Sequence, residues 1–242
     1  MRHLTLLGLL MMSFSFLTQF CYADVPVNKN SGTITVYSTK SKELEPDTAQ
    51  MTFSVKTTAK TVEAASAENK LLAGKIISSV KSKLDLAKGD TIKTSDFSVY
   101  PQYSYPKDGK PVLVGYEVQN SINVKTKKVS SVGNLIDAAI KSGANQLNNL
   151  SFSLSDEKTS CDDLYAGVVK DAQSQAYVIS KALNTSIAGI KGINANCSIE
   201  NPNRMYGAVM MKGAAESSSV STPVEAGKIK VNATITAEFY VQ

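Results

Sequence analysis

The chain has 242 residues, a formal net charge of +5 and 43% hydrophobic residues. This length allows a substantial core, in one large domain or in two closely packed halves. The charges are scattered, and the densest basic group, Lys125, Lys127 and Lys128, is too small to indicate nucleic-acid binding. We therefore expect a folded protein that does not bind nucleic acid.

Residues 1–23 are predicted to be a secretory signal peptide. A short basic start precedes an apolar run at 4–20, and Ala23 marks the expected cleavage site. One alternative is a lipoprotein modified at Cys21, which the bulky residues before it disfavour. Another is a retained membrane anchor, although the run is shorter than the ~20 residues of a spanning helix. We expect the mature chain, 24–242, to contain no transmembrane segment.

The first half of the mature chain, residues 31–126, shows both strand and helix periodicity. Apolar residues at every second position predict strands at 32–39, 48–58, 91–105 and 112–126. The first two strands are expected to form an antiparallel hairpin. After them, apolar residues about four positions apart predict a helix over 62–86, which Thr61 can cap.

The second half, residues 127–242, repeats this order. The same patterns predict a helix at 129–142, strands at 146–155 and 190–199, and a long helix from Ser160 to about Asn184. Ser160 and Asp163 have the spacing of a capping box. Strict alternation from Lys228 to Gln242 predicts a closing strand about 50 Å long. Such a strand needs a broad sheet beside it.

Strands, a long helix and further strands thus occur twice. This order predicts an α+β fold in which long antiparallel strands form a sheet with two long helices packed on it. The repetition is a rough internal duplication, with candidate halves at 31–126 and 127–242. We treat residues 24–242 as one domain.

Two cysteines, Cys161 and Cys197, remain after the predicted cleavage. A helix from Cys161 to Asn184 advances about 35 Å, and a strand from Gly189 to Cys197 returns about 27 Å. The two thiols can therefore meet at one end of the helix. A disulfide fits an exported protein. The alternative is two unrelated buried thiols.

The residues of the mature chain do not suggest an enzyme. The single histidine, His3, lies in the predicted signal peptide, so the commonest general base is missing. The chain shows no nucleophile elbow, phosphate-binding loop or dinucleotide fingerprint. The acidic pairs at 156–157 and 162–163 are explained by the dipole at a helix start. We predict no catalytic residue, no cofactor and no metal ligand.

Two features are candidates for binding. Tyr103, Tyr105 and Tyr116 lie around a predicted turn and form a candidate interaction surface, although paired strands often carry tyrosine. The loop at 200–226 contains Met205, Met210 and Met211, which can bind a soft metal such as Cu(I). Ordinary loop composition or an oligomer contact is the favoured explanation, because three loosely spaced methionines are weak evidence for a site. A ligand- or metal-binding role for this loop is the alternative function.

Several short stretches resemble those of SIMPL-domain proteins, a family that includes the YggE-like periplasmic proteins and the Brucella periplasmic immunogenic protein. They occur in the family's order along nearly the whole mature chain. The stretches are Pro46-Asp47-Thr48-Ala49, Pro101-Gln102-Tyr103-Ser104-Tyr105, Gly115-Tyr116-Glu117-Val118, Ile136-Asp137, Gly143-Ala144-Asn145-Gln146, Asp171-Ala172, Thr222-Pro223-Val224 and Gly227.

This resemblance implies a periplasmic location, an α+β fold and self-assembly into a ring- or channel-like homo-oligomer. It also implies a link to oxidative or envelope stress. The family brings no catalytic residues that can be transferred to this chain. Together with the residues themselves, the resemblance predicts a non-enzymatic scaffold or interaction protein whose protein partners are unknown.

Overall fold

The computed structural model describes residues 32–107, 109–200 and 221–242, together with the backbone of residues 209–210. The helices are α1 (Val62–Lys81), α2 (Val132–Lys141) and α3 (Glu157–Ala182), with short 3-10 helices at Leu86–Lys88 and Val129–Ser131. The strands are β1 (Thr33–Leu44), β2 (Thr48–Ala59), β3 (Thr91–Ser104), β4 (Val112–Thr126), β5 (Gln146–Ser153), β6 (Ile187–Glu200), β7 (Val209–Met210) and β8 (Ile229–Val241). No helix in these ranges is long and apolar enough to span a membrane. The predicted signal peptide lies outside the described residues.

The strands form two antiparallel sheets, in the orders β3-β4-β2-β5-β7 and β1-β8-β6. The predicted α+β class, with long antiparallel strands and helices packed on them, is confirmed. The strands divide between two sheets, and each sheet carries its own long helix. β1 pairs with β8, and β5 pairs with β2, so each sheet combines strands from distant parts of the chain.

The predicted hairpin between β1 and β2 is wrong. The two strands belong to different sheets, because the connection between them is tied to the end of β5 instead of reversing on itself. The backbone N–H of Asp47 donates to the carbonyl of Ser153, and the Asp47 carboxylate accepts two 2.7 Å hydrogen bonds from Ser155. The chain therefore crosses from one sheet to the other at Asp47.

Helices α1 and α2 cover the five-stranded sheet. Thr61 caps α1 as predicted, its side chain accepting a 3.2 Å hydrogen bond from the backbone N–H of Ala64. The buried positions of α1 recur at intervals of three or four residues, which places them on one face of the helix. They are Ala65, Asn69, Ala73, Ile76 and Val80. This face packs on buried side chains of β2 and β4, including Met51, Phe53 and Ile122.

Helix α3 covers the three-stranded sheet, with β8 at its centre. The alternation predicted for the closing strand is confirmed, since its odd-numbered residues from Ile229 to Val241 are all buried. They pack against the α3 positions Leu164, Val168, Ala172 and Ala176. The predicted capping box is wrong, because the helix begins earlier, at Glu157. Asp156 is the cap, and its carboxylate accepts hydrogen bonds from the N–H and hydroxyl of Thr159.

Candidate interaction surfaces

The outer ends of β3 and β4 extend past the rest of the five-stranded sheet. The pairing of β2 with β4 ends at Ala59 and Tyr116. β3 and β4 continue as a two-stranded ribbon as far as the pair Ser104 and Val112. We call residues 97–107 and 109–114 the arm, which comprises this short ribbon with its turn and, at 97–101, the adjoining edge of the sheet, where β4 is still paired with β2. Because α1 packs on β2 and β4, it leaves the arm uncovered.

The arm exposes eight large apolar side chains, each with 38% to 75% of its surface accessible. They are Phe97, Val99, Tyr100, Tyr103, Tyr105, Val112, Leu113 and Val114. They lie on both faces of the strands, because consecutive strand residues such as Val112 and Leu113 point to opposite faces. A concentration of exposed large apolar residues commonly marks a binding surface. The arm is therefore the foremost candidate interaction surface in the described part of the chain.

The three predicted tyrosines occupy two different environments. Tyr103 and Tyr105 are exposed on the arm. Tyr116 is half-buried at its base, where it pairs with Ala59. The exposed aliphatic residues of the arm were not predicted from the sequence. The unbroken apolar run at 112–114, directly after a turn, was the signal for them, because a strand with one buried face alternates instead.

A glycine shapes the base of the arm. A side chain at Gly115 would place its Cβ 2.7 Å from the backbone oxygen of Ala59, closer than such atoms can approach. Gly115 therefore allows β4 to leave the sheet close to the end of β2.

Large apolar side chains are also exposed on the C-terminal part of α3 and on β6. Val178 lies two helical turns beyond Asp171, which pairs with Lys40 of β1, so Val178 is on the side of α3 away from β6. Six such side chains are 39% to 63% exposed. They are Tyr177, Val178, Ile179, Leu183, Ile190 and Ile193. On β6, Ile190 and Ile193 pair with Phe239 and Ala237 of β8 and so lie on the same face as those buried residues. They are exposed because α3 packs mainly on β1 and β8.

A disulfide joins Cys161, in the second turn of α3, to Cys197 of β6, and the two Cα atoms are 6.0 Å apart. It ties the start of α3 to the edge strand of the three-stranded sheet. The opposite end of β6, which carries Ile190 and Ile193, has no such link in the described residues. The strand is thus anchored beside the helix at one end and uncovered at the other.

An open pocket of about 770 Å³ lies beside the disulfide, between α3, β6 and the end of β5. Glu157, Asp162 and Tyr165 line it from α3, and Asn196 lines it from β6. Lys158 at its rim is paired with Asp162. The start of α3 is acidic, because it carries Asp156, Glu157, Asp162 and Asp163 against the single base Lys158.

Five ionisable groups in the described residues have pKa values shifted by their hydrogen bonds. Burial raises the pKa of Asp47, but hydrogen bonds from Ser155 and Thr48 outweigh it, and the pKa lies below its ordinary value. The hydrogen bond from Thr159 lowers the pKa of Asp156, and the bond to Asp162 raises the pKa of Lys158. Pairing between Lys191 and Glu238 raises the first pKa and lowers the second. Each shift favours the charged form, whereas a general acid or base at neutral pH needs a pKa near 7.

The predicted methionine site cannot be placed. Met205 and Met211 lie outside the described residues, and of Met210 only the backbone is described, in β7. The ranges that are described contain no group of three or more His, Cys, Asp and Glu residues able to hold a metal ion. The ligand-binding alternative for residues 200–226 stays a prediction.

Three of the stretches that carry the family resemblance hold connections in place. Asp47 binds Ser155, as described above. The side chain of Asn145 bonds both the N–H and the carbonyl of Lys56, at 3.0 and 2.8 Å. Asp137 accepts a 2.6 Å hydrogen bond from the hydroxyl of Thr222, 85 positions away. These polar side chains therefore hold segments together that are far apart in the sequence.

Comparison with known proteins agrees with the resemblance. The family model SIMPL, described as "Protein of unknown function (DUF541)", matches residues 34–239. The "Uncharacterized protein YggE" of Edwardsiella ictaluri is 24% identical over 194 residues, which cover 77% of each chain. Its Escherichia coli K12 counterpart is 23% identical over 209 residues, 86% of this chain and 83% of that one. A "26 kDa periplasmic immunogenic protein" of Brucella melitensis biotype 1 is 26% identical over 159 residues, 64% of this chain and 60% of its own. Because the family model matches well over half of the chain, this chain belongs to the SIMPL family.

Proposed function

We propose that the protein is a non-enzymatic scaffold or interaction protein of the periplasm that assembles into a ring- or channel-like homo-oligomer. The observation that carries this proposal is the arm, whose eight exposed apolar side chains need a covering surface. A link to oxidative or envelope stress is part of the proposal and rests on the family resemblance.

The size of the arm supports a stable contact. Four of its exposed side chains are aromatic, and an aromatic side chain buries 150–250 Å² when fully covered. At half exposure these four present about 400 Å², which is about half of the ~800 Å² that each partner contributes to a standard interface. The aliphatic residues beside them add to this area.

Three observations support the location and the non-enzymatic role. The Brucella relative is named as periplasmic. The Cys161–Cys197 disulfide suits an oxidising compartment. The shifted pKa values favour charged groups, which suits a structural protein better than an acid–base catalyst.

Light scattering on the mature chain, with size-exclusion chromatography, tests the proposal. We expect the wild type to have a mass several times that of one chain. A variant with Tyr103→Ser, Tyr105→Ser and Leu113→Ser should be monomeric, because it removes much of the apolar surface of the arm. The matched control is Leu71→Ser with Leu86→Ser, which changes exposed apolar residues outside the arm and should stay assembled. A monomeric wild type at micromolar concentration would refute the proposal.

A further inference from the structure

The Cys161–Cys197 disulfide lies at the wall of an open pocket. Both cysteines line this pocket of about 770 Å³, and both are partly exposed. The opposite wall comes from the five-stranded sheet, with Gln50 of β2 and residues 151–153 of β5. A small molecule that enters the pocket therefore reaches the two sulfur atoms without any unfolding of the chain.

The two elements that the disulfide joins are also held by other contacts. β6 is paired with β8 from Ile187 to Glu200. α3 packs on the three-stranded sheet through Leu164 and Val168, and its first turn is capped by Asp156. Because neither element depends on the disulfide alone, opening the link leaves the fold in place and frees the start of α3 from β6.

We propose that Cys161–Cys197 is a site of thiol–disulfide exchange in the folded protein and that it reacts preferentially with small thiols that carry a positive charge. Exchange requires that a thiolate reach one of the sulfur atoms, and exposed disulfides are the labile ones. The protein then changes between a linked and an unlinked form without unfolding. This inference does not depend on the proposed self-assembly.

The exchange takes place in two steps. The thiolate of the entering molecule attacks one cysteine sulfur, forms a mixed disulfide with it and displaces the other cysteine as a thiolate, which takes a proton from water. A second thiol molecule attacks the mixed disulfide and frees the remaining cysteine. The two electrons that reduce the protein come from the two thiol molecules, which leave as their own disulfide.

The charge of the pocket selects among thiols. Glu157, Lys158 and Asp162 are the charged members of its lining. Lys158 pairs with Asp162, so the lining keeps the net negative charge of Glu157. Asp156 and Asp163 add negative charge at the same end of α3. This field attracts a thiol with an ammonium group and repels one with a carboxylate.

Reduction of the mature protein by three small thiols tests the proposal. Cysteamine is positive, 2-mercaptoethanol is neutral and 3-mercaptopropionate is negative. Alkylation and intact mass give the initial rate of opening, which is divided by the rate of the same thiol with an uncharged model disulfide. At low salt the normalised rate should be about tenfold higher for cysteamine than for 3-mercaptopropionate, because they differ by two unit charges within about 7 Å of a third. Concentrated salt should remove most of this ratio.

A charge variant assigns the selectivity to the pocket. Glu157→Lys makes the lining positive and should bring the ratio of the two rates close to one. Glu63→Lys is the matched control, since Glu63 is an exposed acid in the first turn of the other long helix, α1, and this change should keep the wild-type ratio.

A second pair of variants tests the route of entry. Ala195 lines the pocket and lies on the same face of β6 as Cys197, so Ala195→Trp covers the disulfide and should slow all three thiols. Asn194→Trp points to the opposite face and should leave the rates unchanged. Both positions are exposed, so both variants should keep the wild-type circular dichroism.

Three results would overturn the inference. One is reduction that occurs only through the unfolded chain, in which case the rate rises with low concentrations of urea in proportion to the unfolded fraction. Another is equal normalised rates for the three thiols at low salt. The last is a reduced protein that has lost the circular dichroism of the folded chain. A rate that is insensitive to low urea, with the expected charge ratio and a folded product, would support it.

Discussion

The two sheets are built alike and differ in how their uncovered edge strand is held. β3 in the five-stranded sheet and β6 in the three-stranded sheet each lie at an edge, and neither has a buried residue. In both sheets the long helix packs mainly on other strands, α1 on β2 and β4 and α3 on β1 and β8. The edge strands β3 and β6 therefore have little helix cover.

The two edge strands differ in how they are attached to the rest of the molecule. The ends of β3 and β4 leave their sheet together as a short ribbon, whereas β6 stays paired with β8 from Ile187 to Glu200 and is tied to α3 by the disulfide. One edge strand thus ends in a projecting element, and the other is anchored along its length. The predictions below test this division, beginning with the largest expected effect.

Removing the disulfide should weaken the anchored edge. The double variant Cys161→Ser, Cys197→Ser should lower the free energy of unfolding by about 3–4 kcal/mol, since the link between positions 36 apart restricts the unfolded chain. Urea unfolding measures the loss. Hydrogen exchange should show reduced protection in β6 and no change in the arm.

A reductant provides the control for this variant. It should bring the wild type to the stability of the double variant and leave the variant itself unchanged. Two free thiols in mature wild-type protein, detected by alkylation and intact mass, would contradict the prediction.

Adding a side chain at Gly115, at the base of the arm, should displace β4 from the end of β2. Gly115→Val places a Cβ 2.7 Å from the backbone oxygen of Ala59 and should cost about 1–3 kcal/mol of stability through overpacking. The variant should also assemble less well, because its arm is displaced. Thermal melting and light scattering measure the two effects.

Gly192→Val is the matched control on the other edge strand. No atom lies within 4 Å of a Cβ built at Gly192, so this change should have little effect on stability. Equal destabilisation by the two variants would show that the base of the arm is not specially constrained.

The smallest effect concerns Asp47, where the chain crosses between the sheets. Asp47→Asn should lower stability at neutral pH by about 1 kcal/mol, because the Ser155 N–H and hydroxyl lose a charged acceptor. The folded-state pKa of Asp47 is lowered, so its contribution is present above the ordinary value of 3.8 and is lost as the pH falls through the folded pKa. The difference between the wild type and the variant should therefore shrink below about pH 3.8.

Thermal melting across this pH range measures the difference. Glu45→Gln, an exposed acid in the same connection, is the control and should change the melting temperature little at any pH. A difference between the wild type and Asp47→Asn that persists unchanged at low pH would argue against the role of the carboxylate charge.

Local patterns in the sequence predicted most of the elements. The closing strand, the α1 cap at Thr61 and the limits of β4 follow from residues close together in the chain, because periodicity and capping are local properties. The start of α3 did not follow from local spacing. Ser160 and Asp163 have the spacing of a capping box, but both lie inside the helix. The cap is Asp156, whose carboxylate accepts a hydrogen bond from the N–H of Thr159.

The candidate site was predicted only in part. Tyr103 and Tyr105 were identified, whereas the aliphatic side chains beside them were not, and neither was the exposure of Ile190 and Ile193. Exposure depends on what covers a residue. Ile190 and Ile193 have the pattern of buried strand residues and are exposed because of where a distant helix lies.

The sequence by itself determined the compartment expected for the chain, its α+β class, its long strands and helices and its family resemblance. These follow from composition and from patterns within short windows. Only the tertiary structure decided that β1 pairs with β8, that the strands form two sheets and that the edges β3 and β6 remain uncovered. Strand pairing and helix placement depend on contacts between residues up to about two hundred positions apart, which no local pattern specifies.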